Sequence, residues 1–588
     1  MTSRRLATLL TLTTLAFATQ YFQAPDDLPA EVEYDFIIVG GGTAGAVVAS
    51  RLGEIEDFKV LVIEAGPSNE DVFEVQVPGL SHSIGFGTVV DWNYTTAPQT
   101  NINNRVLNYP RAMILGGCSS HNDMIYNRGS KDDYNRWAAT IEDDNLSWAE
   151  MYPRLLKTEK WSAPNDASSP EDGHFNTSVH SSGGKIGVTA PYYDHPFNDL
   201  LFDATTELSE EFPLLEDLNN GRPIGWGQAT IAHGLRSSSA IGYLANANDN
   251  VHVLLNSLVT RILPVGGEEP NNFRTIEYTA NPKSPILKLT AEKEVILSAG
   301  MINSPQLLLL SGIGPKDELE ALGVKTLVDN PSVGKNFSDQ SSFPLGFWTN
   351  LPLTSFDQDE ALSQWKLNHT GRLALAGHLP PIGWVRFPPE SKPFKEGLVD
   401  PTGGPDAPHI EVFFSGVNPW FADNHTLRMN IVNLNPTSRG SIKLASNSPF
   451  DQPIIDPALL SSDTDKGILI EGFRSVERLM ASDAFSNNIF GLNTPSPTAN
   501  GTLTDDEIIH YIKGSASHFG HGVSSCSMAP AGASWGVVDP EFRVRDVSGL
   551  RIVDASVIPF VTSGHIQAPV YAIAERASEV IQRMYRGV

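Results

Sequence analysis

The hydrophobic pattern of this chain changes period along its length, and the changes mark out its elements. Phe36, Ile37, Ile38 and Val39 are four apolar residues in a row, which suits a strand buried on both faces of a parallel sheet. Just beyond them Ala46, Val47, Val48 and Leu52 recur with helical spacing. Between the two runs stand Gly40, Gly42 and Gly45, spaced G-x-G-x-x-G. A second apolar run, Val60–Ile63, ends in Glu64, 19 residues beyond Gly45. Strand, glycine turn, helix and acid-tipped strand predict a dinucleotide-binding unit. The first glycine permits the tight turn, the second lets the backbone approach a pyrophosphate, and the third lets helix and strand pack closely. The helix N-terminus offers free N–H groups to the phosphates, and the Glu64 carboxylate can accept bonds from ribose hydroxyls.

The later pattern is more mixed. Gly129 to Trp137 reads as the start of a helix capped by Ser130, and residues 155–230 read as a loop-rich insertion. Val251 to Leu255 and Leu258 to Leu263 alternate like antiparallel strands. Val295 to Gly300 repeats the strand-to-glycine exit before a helix over 303–312, with Pro305 near its first turn and Gly312 at its end. Residues 340–430, rich in proline and aromatics, look like a separate layer. Ile470 to Ala481 is helical, and Gly549 to Ala555 is a strand that exits at Asp554. Val570, Ile573, Ala574, Ala577, Val580, Ile581 and Met584 then recur at steps of three and four, an amphipathic helix with Pro569 at its first position.

Composition narrows the class. With 588 residues and 40% hydrophobic content the chain can build a large core and more than one domain. Its net charge of −27 argues against nucleic acid or an anionic membrane as partner. Cys118 and Cys526 are the only cysteines, too few for a disulfide framework or a cysteine-rich zinc site, although the two could pair. Residues 1–18 combine Arg4 and Arg5, a short apolar run and a small-x-small site near Ala18, which reads as a secretory signal peptide. Seven N-x-Ser/Thr sequons, at Asn93, Asn145, Asn176, Asn336, Asn368, Asn424 and Asn500, fit a secreted glycoprotein.

Several stretches in order resemble the glucose–methanol–choline (GMC) family of flavin oxidoreductases. They are the glycine motif at 40–45, the Gly116-Gly117 loop, Ser304-Pro-Gln with Ser-Gly-Ile-Gly314, Val333-Gly-Lys-Asn336 with Asp339, and the segments around His521 and His565. The resemblance implies FAD as cofactor and a two-part fold: a Rossmann-like α/β FAD-binding part and an α+β substrate-binding part on an antiparallel sheet. On that pattern residues 33–340 form the N-terminal region with the 155–230 insertion, 341–515 are mainly substrate-binding, and 516–588 return to the flavin, within a C-terminal region of about 434–580. Beside Gly40, Gly42, Gly45, Glu64 and Gly117, the resemblance assigns Asn122, Val259, Asp554 and Gln567 to the cofactor. It also implies that His121, in Gly116-Gly-Cys-Ser-Ser-His-Asn122, is bonded covalently to the flavin 8α-methyl.

Flavin-dependent alcohol oxidation needs a base for the hydroxyl proton, and a neutral histidine suits it, with a reference pKa of about 6.5. His521 and His565 match the family's paired active-site residues. His521 is the expected base and His565 the residue that orients the hydroxyl, though the roles could be exchanged, since adjacent imidazoles titrate as a pair. His518, lacking a third ligand beside it, reads as a plain polar residue, and no metal is expected. The family's sugar-oxidising dehydrogenases imply a small-molecule sugar donor and a quinone-type acceptor, acting as a secreted monomer. Tyr94, Phe413 and Phe519 are the expected pocket residues. Phe413 and Phe519 stand where those relatives carry polar groups, so an aryl or other apolar alcohol is the alternative donor.

Overall fold

The computed structural model describes residues 19–586 apart from 163–175, 190–194, 228–233, 267–269, 353–355, 376–380, 417–425 and 496–502. The expected signal peptide at 1–18 and the sequons at Asn424 and Asn500 lie outside the described residues. Among those described, no helix is long and apolar enough to cross a membrane.

Two sheets carry the molecule. The first has six parallel strands in the order Gln20–Phe22, Val251–Leu254, Val60–Ile63, Phe36–Val39, Glu294–Leu297 and Leu550–Ile552. Every residue of Phe36–Val39 and Val60–Ile63 is buried, as unbroken apolar runs require when both faces of a sheet are covered. Helix Thr43–Gly53 leaves the first of these strands and packs against the C-terminal helix Gln567–Arg586. A buried ion pair ties the two helices: Arg51 donates from Nε and Nη2 to Glu575, at 2.9 and 2.8 Å. Tyr243 Oη donates to the same carboxylate at 2.9 Å.

The second sheet is antiparallel, with the strands Ile489–Thr494, Ser341–Thr349, Thr426–Asn433, Ile410–Gly416, Ile382–Val385 and Gly225–Gly227 in that order, and Ser517–His518 added beside Ser341–Thr349. One face packs on helix Asp463–Met480 around Ile410, Val412, Phe414, Ile431 and Phe473. Period two then turns Glu411 and Phe413 to the other face, toward the cavity described below.

Several elements differ from the sequence pattern. Val251–Leu254 is parallel, inserted between Val60–Ile63 and Gln20–Phe22, whereas Leu258–Leu263 does pair antiparallel, with Thr275–Thr279. Strand direction is a property of the partner, and alternation along one strand does not encode it. The helix expected at 303–312 spans Gly300–Leu310, so Pro305 sits inside it. The C-terminal helix likewise begins at Gln567, two residues before Pro569. In the 155–230 insertion lie helix Pro196–Glu207 and strand Gly225–Gly227, whose Phe197, Leu201 and Trp226 join the core of the second sheet. Cys118 and Cys526 are both free.

Candidate active site

A cavity of about 590 Å³ runs from the carboxyl ends of the central parallel strands to the loops at Phe519–His521 and His565, beside the antiparallel sheet. Its lining includes Gly40, Gly42, Glu64 and Val259 from the first region and Phe519, His521 and His565 near the second. Gly117, Asn122, Tyr94, Asp554 and Gln567 line it between them.

At the glycine end each glycine has a separate reason. Gly40 has φ of +98°, and a Cβ there would meet Ser298 O at 2.6 Å. A Cβ on Gly45 would meet Gly40 O at 2.0 Å, so Gly45 serves the close approach of helix to strand and does not line the cavity. A Cβ on Gly42 would meet nothing nearer than Gly117 Cα at 3.7 Å, so the protein itself does not require glycine there. The bare backbone of Gly42 faces the cavity, as close approach of a pyrophosphate needs. Glu64 is buried and accepts one N–H on each oxygen, from Gly41 and Gly66, both at 2.9 Å. Burial raises its pKa to about 7 against those two bonds. Asp554 accepts from Gly300 N at 2.9 Å, caps the start of the Gly300–Leu310 helix and binds Ser304 Oγ. Gln567, the first residue of the last helix, accepts from Asn122 Nδ2 at 2.6 Å and donates to Tyr571 Oη at 3.1 Å.

His121 lies between Cys118 and Asn122, which line the cavity, though its own ring is set back from the lining. Its Nε2 is 3.0 Å from Asp91 Oδ2, yet the two are misaligned and neither completes a hydrogen bond. That buried imidazole nitrogen thus has a carboxylate beside it but no hydrogen bond.

The histidine end is assembled from distant segments. The rings of His521 and His565 meet edge to face, 4.8 Å between centroids, and Phe519 packs on both at 4.9 and 5.5 Å. Phe413 does not line the cavity but sits behind Phe519, at 5.9 Å. Tyr94 stacks on Trp92 and its Oη accepts from Asn303 Nδ2 at 2.7 Å. Asp339 holds the loop before His521, accepting from His521 N at 2.8 Å and Gly520 N at 3.2 Å. Gln340 is fully buried and its Nε2 donates to the carbonyls of Leu434, Thr562 and Gly564. Its Oε1 therefore faces His521 Nδ1, at 2.8 Å, as an acceptor. His521 must carry its hydrogen on Nδ1, leaving Nε2 as the lone-pair nitrogen. Burial, the neighbouring His565 and the guanidinium of Arg111 push the His521 pKa well below its ordinary 6.5. His565 is held differently: its Nε2 donates to buried Glu411 Oε1 at 3.1 Å, and its N–H to Asn127 Oδ1 at 2.8 Å. His518 donates to Asn108 O at 2.7 Å and packs against Tyr109 with the rings tilted, 4.2 Å between centroids. Among the described residues no three His, Cys, Asp or Glu side chains converge as a metal site.

Gln340, Glu411, Asn127 and Asp91 were not singled out by sequence reasoning as site residues. Each is a common polar residue in an ordinary-looking strand or loop, and only tertiary packing brings it to a histidine.

Two family models described as GMC oxidoreductase match residues 34–342 and 436–574, and the chain belongs to that family. A pyranose dehydrogenase of Agaricus campestris is 49% identical, with 96% of each chain covered. Pyranose dehydrogenase 2 of Leucoagaricus meleagris is 46% identical, covering 100% of this chain and 99% of its own. Among solved structures, an Aspergillus oryzae formate oxidase superposes with a TM-score of 0.84 at 25% identity, covering 95% of this chain and 100% of its own. GMC oxidoreductases bind FAD, and the residues here fit that group: the bare backbone of Gly42, where a Cβ would meet nothing nearer than 3.7 Å, faces a cavity that Gly117 and Glu64 also line.

Proposed function

We propose that this protein is a secreted, FAD-dependent pyranose dehydrogenase that oxidises sugar hydroxyls to ketones and passes the electrons to quinone-type acceptors. The observation that carries the reading is the His521–His565 pair, 44 positions apart in sequence and 4.8 Å apart at the end of the cavity that begins at the glycine loop. The near-complete coverage by relatives named pyranose dehydrogenase supports a sugar donor. Secretion is supported by the N-terminal leader pattern and by exposed sequon asparagines at 93, 145, 336 and 368. In this reading 33–340 bind FAD, 341–515 with the 155–230 insertion shape the donor pocket, and 516–588 supply both histidines.

FAD, when bound, supplies a two-electron acceptor that takes the carbon-bound hydride at N5. Gly40, Gly42 and Gly117 would receive the pyrophosphate, Glu64 the ribose, and the backbone near Val259 the adenine. Gln567, at the N-terminus of the last helix, would face developing negative charge on the ring system. His121 would hold the ring covalently. His521 is the base: Gln340 fixes its tautomer, so Nε2 accepts the hydroxyl proton. His565, anchored through Nε2 by Glu411, presents the other edge of its ring and orients the hydroxyl.

A second reading follows from Phe519 and Phe413, which give the histidine end an apolar wall suited to an aryl alcohol. Steady-state rates with glucose and with 4-methoxybenzyl alcohol, each with benzoquinone and with dioxygen, separate the two. Fast glucose oxidation with benzoquinone supports the first reading. An inactive glucose and a fast benzyl alcohol replace it with the second.

A further inference from the structure

Away from the cavity, three points of the 155–230 insertion converge on Arg128 as a buried cluster of charged side chains. At its centre the ring of His180 stacks on Trp161, 4.2 Å between centroids. His180 Nδ1 lies 2.5 Å from Glu159 Oε1, and Nε2 lies 2.9 Å from Asp217 Oδ2. Both partners act as acceptors. Glu159 Oε2 accepts from Arg128 Nη2, and Asp217 accepts from Asn219 N at 2.8 Å and Asn176 N at 2.9 Å. A neutral imidazole has one N–H and one lone pair, so it could satisfy only one of the two carboxylates. His180 therefore carries a hydrogen on each nitrogen and a positive charge. Burial opposes that charge, but the bonds to Asp217 and Glu159 outweigh it and raise the pKa above its ordinary 6.5. Arg128 and His180 then balance Glu159 and Asp217, and none of the four side chains is more than 3% exposed.

The cluster closes on Arg128 from two sides. Glu159 binds its guanidinium. Asn219, held by Asp217, accepts from Arg128 N at 3.0 Å on Oδ1 and from Arg128 Nη1 at 2.9 Å on its carbonyl. Arg128 N belongs to the peptide group that joins it to Asn127, and Asn127 Oδ1 accepts from His565 N at 2.8 Å. That last link has little slack, for a Cβ on Gly564 would meet Asn127 Nδ2 at 2.1 Å. A shift of Asn127 is thus passed on to His565. Resting on the reading that His565 orients the donor hydroxyl, we propose that His180, as an imidazolium, is a positioning residue for His565, acting through Glu159, Asp217 and Arg128 on Asn127. Removing its charge leaves two buried carboxylates facing one guanidinium, and their repulsion loosens the grip of Glu159 and Asn219 on Arg128.

The test is anaerobic flavin reduction in purified holoenzymes, followed by stopped flow with FAD content measured beside it. The donor is whichever of glucose and 4-methoxybenzyl alcohol reduces wild type, at saturating concentration. His565→Ala should slow reduction about 10²-fold, and a wild-type rate there removes the reading on which the proposal rests. His180→Gln should keep its FAD and slow reduction about 10-fold. Adding Glu159→Gln keeps an oxygen for Arg128 Nη2 and cancels the surplus negative charge. The double variant His180→Gln/Glu159→Gln should return to within about threefold of wild type. With His565→Ala slow, a His180→Gln that reduces its flavin at the wild-type rate overturns the role of His180 alone. A double variant no faster than His180→Gln overturns it too, since shape and not charge would then be what matters. Should His180→Gln fail to fold, the double variant decides: folded and fast it supports the proposal, unfolded or slow it overturns it.

Discussion

The two ends of the cavity are built by opposite means. The glycine end comes largely from one run of chain, residues 36–66, in which strand, turn, helix and second strand follow one another. The histidine end takes Asn127, Asp339, Gln340, Glu411, Phe519, His521 and His565 from five separate stretches. Glu64 and His521 are both buried, and burial acts on each with the same sign against charge. It lifts Glu64 to about 7 at one end and drives His521 well below 6.5 at the other. A buried acid and a buried base are thereby both drawn toward neutrality. The difference teaches where substitution should be felt: backbone geometry rules the first end, and side-chain hydrogen bonding rules the second.

The largest contrast should come within the glycine end. Gly45→Ala forces a Cβ against Gly40 O, a backbone atom that cannot swing away, and should abolish soluble expression of folded protein. Gly42→Ala meets only ordinary contact distances and should fold with near-normal denaturation, yet lose FAD. Equal behaviour of the two would break the division of roles. At the histidine end, His521→Ala should slow anaerobic flavin reduction by about 10³-fold with FAD still bound. The same reaction in the parent should stay flat in rate from about pH 6.5 upward. Its lowered pKa keeps His521 neutral there, and the rate should fall only in acid, as the base takes up a proton. A midpoint above pH 7 in stopped-flow traces would contradict the assignment.

Glu64 gives the complementary sign. Its pKa is raised from 4.5 to about 7, so the folded flavin-free protein binds more protons than the unfolded chain in that range. Stability is therefore greatest below about pH 4.5 with respect to this group and declines by about 3 kcal/mol as pH rises through 7. Denaturant titrations of flavin-stripped His121→Ala protein at a series of pH values should show that decline, and adding Glu64→Gln should flatten it. Gln340→Leu sharpens the comparison most finely. It removes the acceptor that holds the His521 tautomer, and should lower the rate of flavin reduction about 100-fold while FAD content is kept. A similar loss in FAD content would make Gln340 a purely architectural residue.

Much of the glycine end was legible in the chain because each requirement there is local. The run at 36–39 reports its burial, Gly40 reports a turn, and Glu64 follows its strand directly. Strand Val251–Leu254 was misread as antiparallel because direction depends on a neighbour almost 200 residues away. The presence of His521 and His565 could be read through the family resemblance, and so could the class of cofactor. Their inequality could not.

The amino-acid sequence by itself thus determined the dinucleotide unit, the GMC oxidoreductase family and the pair of histidines, since short-range backbone preferences and ordered motifs suffice for each. Only the tertiary structure decided which nitrogen of His521 is free, what anchors His565 and what stands beside His121. Those answers rest on Gln340, Glu411 and Asp91, ordinary polar residues whose meaning arises when packing removes water and leaves each with a single imidazole to face.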